Sequence, residues 1–399
     1  MLKAYRYRLS PTIKQTELIN KHIGSVRFLY NLALETKQKA WAGNRVNLNR
    51  YDLQVQLKDL KKYLPWLTEV NSQSLQSALL NLDAAYLRFF KGQNSFPKFK
   101  KKSNSGSFNI PQTVTLEDGR LIIPKFRGGI DIILHRPIKG TIRQATISRT
   151  PTGKYFVSIL CETGEVIKPK TKIKESTTIG VDLGIKDFLV TSEGEVFDNP
   201  KYLRKAQSKL KYVQRKYSKN KGKRTKQRLA LLHERVVNKR KDFLHKTSTK
   251  LIRENQTICL EDLNVNGMVK NHCLAQAITD VGWSTFVSLL EYKADWHGVN
   301  ILRIGRFDPS SKLCSVCGTI NKELQLKDRE WTCKSCGTLH DRDINAACNI
   351  KSFALKNFSV ERRVKNHGML PSLEGALTHE AHSTALLCVG SSLSRIHFH

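Results

Sequence analysis

The stretch GVDLGIKDFLVTS, residues 180–192, sets an aspartate, Asp182, inside an otherwise apolar run. Thr177, Thr178, Ile179, Gly180 and Val181 precede it, and Leu183, Gly184 and Ile185 follow. β-Branched residues at this density predict a strand over 177–184, with a second over 187–192. A carboxylate among such neighbours loses its hydration, so its place there calls for a compensating charge.

Two further acids stand in comparable places. In TICLEDL, residues 257–263, Glu261 ends an apolar run. In HDRDINAACNI, residues 340–350, Asp343 opens a helical pattern whose face carries Ile344, Ala347 and Ile350. Asp182 and Glu261 are 79 residues apart and Glu261 and Asp343 are 82 apart, so only the fold can bring them together. Converged carboxylates repel one another and are tolerable with divalent cations between them. Two Mg²⁺ ions about 3.5–4 Å apart clamp the attacking water and the leaving oxygen of a phosphodiester. Asp182 is then the bridging candidate, flanked by Glu261 and Asp343. Each acid also has a structural reading: Asp182 on backbone amides, Glu261 with Asp262 as a helix cap, Asp343 as an N-cap. Asp341, Asp187 and Asp262 rank lower as ligands, with Asp341 the nearest competitor to Asp343.

CSVCGTINKELQLKDREWTCKSCG, residues 314–337, gives Cys314-x2-Cys317 and Cys333-x2-Cys336 across fifteen residues. Glycines Gly318 and Gly337 follow the pairs. Such spacing predicts a zinc ribbon, with four thiolates closing one structural tetrahedral site. The other five cysteines, Cys161, Cys259, Cys273, Cys348 and Cys388, read as small buried hydrophobes.

Charge bounds the class of partner. Sixty-eight Lys and Arg against thirty-four Asp and Glu give a net charge of +34 over 399 residues. An excess of this size implies an anionic partner, nucleic acid first. No run of about 18 apolar residues exists, which disfavours a membrane-spanning role. The opening residues carry no apolar leader core, so a cytosolic protein is expected. Between residues 201 and 250 nineteen Lys and Arg, Arg215, Lys216 and Arg224 among them, face two acids. That imbalance favours contact with a phosphate backbone. Residues 91–111, KGQNSFPKFKKKSNSGSFNIP, interleave Lys98, Lys100, Lys101 and Lys102 with Phe96, Phe99 and Phe108. Phosphate contact with base stacking, and a solvated loop anchored by phenylalanines, both fit this segment.

Periodicity divides the chain. A short strand over 3–9 leads to Thr12 and Gln15, a capping box that predicts a helix from Ile13. Helices are expected to about 42, near 49–62 and near 72–91. Short strands between turns fill 113–162 as a small β unit that the first strand can join, with a barrel as one form of closure. A linker occupies 163–175. Strands and helices then alternate, with strands near 195–198, 257–261 and 299–305 and helices near 201–218, 226–255, 284–297 and 343–355.

In order along the chain stand IGVDLGIKDFLVTS, DFLHKTSTKLIREN, ICLEDLNVNGMVKN, GWSTFVSLLEYKADWHG, RFDPSSKLCSVCG and REWTCKSCGTLHDRDINAACNI. Together with the opening KAYRYRLSPT and the loop FPKFKKKSNSGSF, they resemble the TnpB family of insertion-sequence transposons, itself similar to type V CRISPR effectors. The resemblance spans roughly residues 1–352. It implies an α/β nuclease domain with an RNase H-like RuvC fold and a zinc-ribbon insert, beside an N-terminal helical recognition unit and a small β-barrel-like unit. It implies a first wedge strand at 1–10, a recognition domain at 11–92 and a wedge unit at 93–170. The nuclease domain at 176–310 carries a basic insert at 201–255. A ribbon at 311–340, a closing helix at 341–364 and a tail at 365–399, disordered in one reading, complete the division. His382, His397 and His399 in that tail are weak as metal ligands.

The family's acidic triad falls on Asp182, Glu261 and Asp343, all present, with Mg²⁺ as implied catalytic cofactor and Zn²⁺ as structural one. The implied partners are a guide RNA from the transposon end and double-stranded target DNA beside a short transposon-associated motif. A bacterial or archaeal cytoplasmic protein at the nucleoid is implied. The intact triad disfavours a non-cleaving RNA-guided regulator. A strand-transferring transposase and a CRISPR-associated miniature effector remain alternatives.

Overall fold

The computed structural model describes residues 1–367 apart from 104, 307 and 326; the side chains of 266, 272, 273 and 360–367 lie outside the description. The expectations for the tail residues His382, His397 and His399 and for Cys388 fall outside the described residues, as does that for the Cys273 side chain.

The first half builds a seven-stranded sheet against three helices. Its elements are β1 (Leu2–Ser10), α1 (Ile13–Asn44), α2 (Arg50–Tyr63), α3 (Ser72–Phe90), β2 (Gly106–Ile110), β3 (Thr115–Glu117), β4 (Arg120–Ile122), β5 (Ile130–Ile133), β6 (Thr141–Arg149) and β7 (Tyr155–Glu162). The strand order is β2-β6-β7-β1-β5-β4-β3, so the first strand is central. Tyr5, Tyr7 and Leu9 alternate inward along β1, as a half-buried strand requires. They join one core with Leu34 of α1 and Leu75, Leu79 and Leu82 of α3. The capping box at the head of α1 is formed: Gln15 N donates to Thr12 Oγ1 at 3.3 Å and Thr12 N to Gln15 Oε1 at 3.0 Å. Two features differ from the sequence reading. The pairing runs from β2 to β3 without closing between them among the described residues, so the unit is an open sheet and no closed barrel. Residues 106–110, expected in a loop, form β2, and Phe108 is buried rather than available for base stacking. Its five-residue pattern was hidden because the Lys-, Ser- and Asn-rich stretch before it dominates the composition.

His22, fully buried on α1, ties the helices to this sheet. Its ring stacks on Phe108 at 4.6 Å, Nδ1 lies 2.8 Å from Leu18 O, and Asn71 N donates to Nε2 at 2.9 Å. A ring accepting at Nε2 and donating from Nδ1 is neutral, and burial holds its pKa below the ordinary histidine value. The unfolded chain then binds a proton near pH 6.5 that the folded chain refuses, so stability falls as pH drops below that point. His22→Leu is expected to cost about 1–3 kcal/mol at neutral pH by orphaning the buried Asn71 amide. It is also expected to flatten the loss of stability between pH 6.5 and 5, as measured by urea unfolding at each pH.

The second half builds a five-stranded mixed sheet. It comprises β8 (Thr178–Leu183), β9 (Asp187–Thr191), β10 (Val196–Asp198), α4 (Tyr202–Asn220), α5 (Lys223–Glu254), β11 (Thr257–Glu261), α6 (Val265–Met268), α7 (His272–Val281), α8 (Trp283–His297), β12 (Asn300–Ile304), β13 (Glu330–Thr332), β14 (Leu339–Asp341) and α9 (Arg342–His367). The order is β10-β9-β8-β11-β12, with β8, β11 and β12 parallel and the β8-β9-β10 side antiparallel. Ile179, Val181 and Leu183 of β8 and Ile258 and Leu260 of β11 face a core built with α5 and α8. The alternate residues face α9, where Cys259 packs with Ile304, Ile350 and Ala354. Both sheet faces are covered, which is why β8 and β11 read as continuous apolar runs.

Helices α4 and α5 pack as an antiparallel pair through Leu210, Val213, Leu232 and Val236. The head of α4 has no cap of its own; buried Asp280 of α7 accepts from Leu203 N at 2.9 Å and Arg204 N at 3.1 Å. The sequence reading gave no helix α7 and no β13–β14 pair. Helix α9 continues to His367, past the end expected for it and past the tail boundary at 365.

Candidate metal centre and its supports

Strand register answers the question that Asp182 poses. In the parallel β8–β11 pair Val181 stands opposite Leu260, so the next residues, Asp182 and Glu261, are level on neighbouring strands. Parallel partners at one level point to one face, here the face that α9 covers. The helix approaches closely at Gly180: a Cβ there would sit 2.0 Å from Ala347 O and 2.9 Å from Lys351 N. Asp182 follows Gly180 by two residues, on the same face of β8. Asp343 precedes Ala347 by four, on the same face of α9. The contact at Gly180 anchors this face of α9 on β8, and the charge of Asp343 acts on Asp182. Gly180→Ala is expected to wedge α9 off the sheet at a cost of about 1–3 kcal/mol. A fall in melting temperature with unchanged zinc content is the check.

Electrostatics report the same convergence. Asp182 is pushed up to about 7, first by burial, then by the charges of Glu261 and Asp343; Arg342 and the Leu183 amide act the other way. The residue keeps partial access to solvent although protein atoms surround its carboxyl. Glu261 accepts a 2.5 Å hydrogen bond from Ser310 Oγ, and Asp343 meets Arg329 Nη1 at 3.3 Å. The rival acids have other duties. Asp341 Oδ1 caps α9, accepting from Asp343 N and Ile344 N at 2.9 Å each. Asp262 pairs with Arg306 at 2.8 Å and Arg303 at 3.5 Å, and Asp187 with Lys186 at 3.5 Å.

The three carboxylates do not form a group whose ligand atoms all lie within 4.8 Å; among the described residues only the four cysteines do. One small cation with ligand distances near 2.1 Å is therefore a poor match for all three acids. A wider spread is compatible with more than one cation, and three carboxylates would supply the charge to hold them.

The four thiols fit zinc directly. Cys314 Sγ lies 3.7 Å from Cys336 Sγ, and Cys317 Sγ lies 3.5 Å from Cys333 Sγ. A tetrahedral site with Zn–S bonds of 2.3 Å has edges of about 3.8 Å. The two knuckles repeat each other: Gly318 N bonds Cys314 O and Gly337 N bonds Cys333 O, both at 2.9 Å. Each glycine has φ above +70°, a conformation that strains any other side chain. Thr319 Oγ1 stands 3.4 Å from Cys317 Sγ, and Thr338 Oγ1 stands 3.3 Å from Cys336 Sγ. His340, its ring tilted against Trp331 at 4.7 Å, brings Nε2 to 3.0 Å from Cys314 Sγ. Of the other cysteines, Cys161 and Cys259 are buried and Cys348 is partly exposed.

Sequence reading missed the residues that join this ribbon to the acids. Asn345 Oδ1 accepts from Ser315 N at 2.9 Å, and Asn345 Nδ2 donates to Leu313 O at 2.7 Å. Asn349 Nδ2 donates to Ser310 O and Leu313 O at 2.7 Å. The available signal was two asparagines at i and i+4 on the apolar stripe of a helix, where only a fixed set of partners makes amides tolerable.

The basic residues are distributed over the surface. Lys98, Lys101 and Lys102 between α3 and β2, and Arg215, Lys216 and Arg224 on the α4–α5 pair, are exposed. Lys100 is exposed too, but its ammonium lies 3.8 Å above the Tyr30 ring and its backbone bonds the Asn31 side chain, so it also anchors the segment to α1. Phe96 and Phe99 are partly exposed, and Phe96 packs edge-on against Tyr86 and Phe89. Among the described residues no helix is long and apolar enough to cross a membrane.

These units make a mixed α/β protein with a four-cysteine ribbon set into its second half. A family model described as "Probable transposase" matches residues 158–272, one described as "Cas12f1-like, TNB domain" matches 283–350, and one described as "Helix-turn-helix domain" matches 1–45. A Streptomyces pristinaespiralis protein named "Putative RNA-guided DNA endonuclease" is 39% identical over 364 residues, 88% of this chain and 89% of the relative. The Escherichia coli K12 protein "Putative RNA-guided DNA endonuclease InsQ" is 30% identical over 373 residues, covering 88% and 91%. A solved structure titled "Cryo-EM structure of the Cas12f1-sgRNA-target DNA complex" aligns with a TM-score of 0.36 at 15% identity, over 88% of this chain and 99% of that one. The chain belongs to the TnpB family.

Proposed function

We propose that this protein is an RNA-guided DNA endonuclease. Its mixed five-stranded sheet with α9 would be the RNase H-like RuvC core, and Asp182, Glu261 and Asp343 its catalytic acids. The observation that carries the reading is the β8–β11 register, which sets Glu261 level with Asp182 beneath the helix whose first turn carries Asp343. The names of the relatives and the +34 charge support the nucleic-acid partners.

In this reading Asp182, Glu261 and Asp343 would hold a pair of Mg²⁺ ions, whose chemistry there would be water activation and charge neutralisation at the phosphodiester. The protein's own part is positional. The β8 backbone sets Asp182 level with Glu261 on the neighbouring strand, and Asp341 takes over the helix cap so that Asp343 is left for the site. Pairing between a guide RNA from the transposon end and the target strand would read most of the sequence, with the protein reading a short adjacent motif and backbone shape. Exposed Lys98, Lys101, Lys102, Arg215, Lys216 and Arg224 are candidates for phosphate contact.

The test is to express the chain with its flanking genomic DNA and sequence the RNA that copurifies. The complex is then incubated with Mg²⁺ and a plasmid library randomised beside the target. Guide-dependent double-strand breaks beside one short motif are the expected result. Bound RNA without breaks would make the protein a regulator. Joined strands on a mini-transposon substrate would support the strand-transfer chemistry that the matched model's description, "Probable transposase", names.

A further inference from the structure

Among the described residues, the loop between β12 and the first knuckle meets the candidate metal centre through Ser310. Ser310 is 5% exposed, and its hydroxyl donates to Glu261 Oε1 at 2.5 Å, within the range of charge-assisted O–H···O⁻ bonds. That donation engages Oε1 of the Glu261 carboxylate. The serine is itself held. Asn349, 2% exposed, donates from one amide nitrogen to Ser310 O and Leu313 O at 2.7 Å. Asn345, equally buried, brackets the next turn through Leu313 O and Ser315 N. Both asparagines project from α9, the helix whose first turn carries Asp343. The next residue after Leu313 is Cys314, the first cysteine of the ribbon.

We infer that Ser310 is a positioning residue: locked to α9 by Asn349, it fixes the rotamer of Glu261 so that one carboxylate oxygen is presented to the cation. The inference rests on the proposed reading of the acids. Glu261 ends its strand and is partly exposed, so few neighbours hold its three side-chain torsions. Without Ser310 its carboxylate samples several orientations, and cation binding has to select one of them.

The experiment follows thermal unfolding of the full chain, zinc retained, over a Mg²⁺ titration. Wild type is expected to gain stability as the ion binds, and Asp182→Asn is expected to abolish that gain. Ser310→Ala is expected to raise the half-saturating Mg²⁺ about 5–20-fold, while zinc content and metal-free stability stay near wild type. Ser310→Thr, which restores the hydroxyl, is expected to bring the midpoint back to within about twofold of wild type. In a Glu261→Gln background Ser310→Ala is expected to add no further shift, since the charge it orients is gone. An unchanged midpoint in Ser310→Ala, or an equal shift in the Glu261→Gln background, would overturn the positioning role while leaving the acids in place. A Mg²⁺ gain that persists in Asp182→Asn would overturn the reading of the acids themselves, and this inference with it.

Discussion

Asp182→Asn is expected to abolish DNA cleavage, by at least about 1000-fold, equivalent to losing about 4 kcal/mol of transition-state stabilisation. Guide RNA should remain bound. The same variant is expected to be more stable than wild type in chelator at pH 8, because Asp182 is raised to about 7 by burial and by its two acidic neighbours. The sign follows from linkage. The folded carboxyl holds its proton up to about pH 7, whereas the unfolded one releases it near 3.8. Ionisation therefore costs nothing below the lower value and its full amount above the upper one. Metal-free wild type should lose stability as pH rises from about 4 to 7, and the asparagine variant should lose less. Partial solvent access reduces the expected difference to about 1–3 kcal/mol. Chemical unfolding at pH 5 and pH 8 measures it. A variant that cuts DNA normally, or one less stable than wild type at pH 8, would remove Asp182 from the centre.

If the four thiolates hold zinc and the proposed cleavage is right, removing that metal is expected to disorganise residues 314–341 and to abolish the cleavage together. The ribbon's interior consists of Cys314, Leu324, Trp331 and Cys333, and β13 and β14 are three residues each. A unit with so little apolar surface cannot offset its own chain entropy. Binding of zinc to four thiolates contributes on the order of 10 kcal/mol and is then its folding energy. The consequence reaches the acids because Arg329, at the edge of the ribbon, contacts Asp343, and Ser315 contacts Asn345. Metal analysis should give one zinc per chain. Cys333→Ser should lose it, raise hydrogen exchange across 314–341 and abolish cleavage, while β8 and β11 stay protected. Full protection of the ribbon in a zinc-free chain would refute the structural role.

Much of this molecule was legible without coordinates. The four-cysteine spacing fixes its own geometry, since each Cys-x2-Cys-Gly turn is local and its two glycines supply the only backbone conformation that closes it. The strand character of 178–183 and 257–261 was legible because both faces of those strands are covered, which forces continuous apolar runs. Asp182, Glu261 and Asp343 stood out as acids that such runs do not tolerate without a partner. Other features depended on pairings distant in the chain. Register between β8 and β11 decides that Glu261 lies beside Asp182, and a one-residue slip would turn it to the opposite face. Which of Asp341 and Asp343 caps α9 was open, because both residue type and position allowed either; the fold gives that duty to Asp341. Strand β2 and the burial of Phe108 depended on β6 and His22, each far from residues 106–110. The roles of Ser310, Asn345 and Asn349 depended on the packing of one loop against one helix face. Local chemistry determined which groups this protein carries, and only long-range hydrogen bonding and packing decided which of them meet.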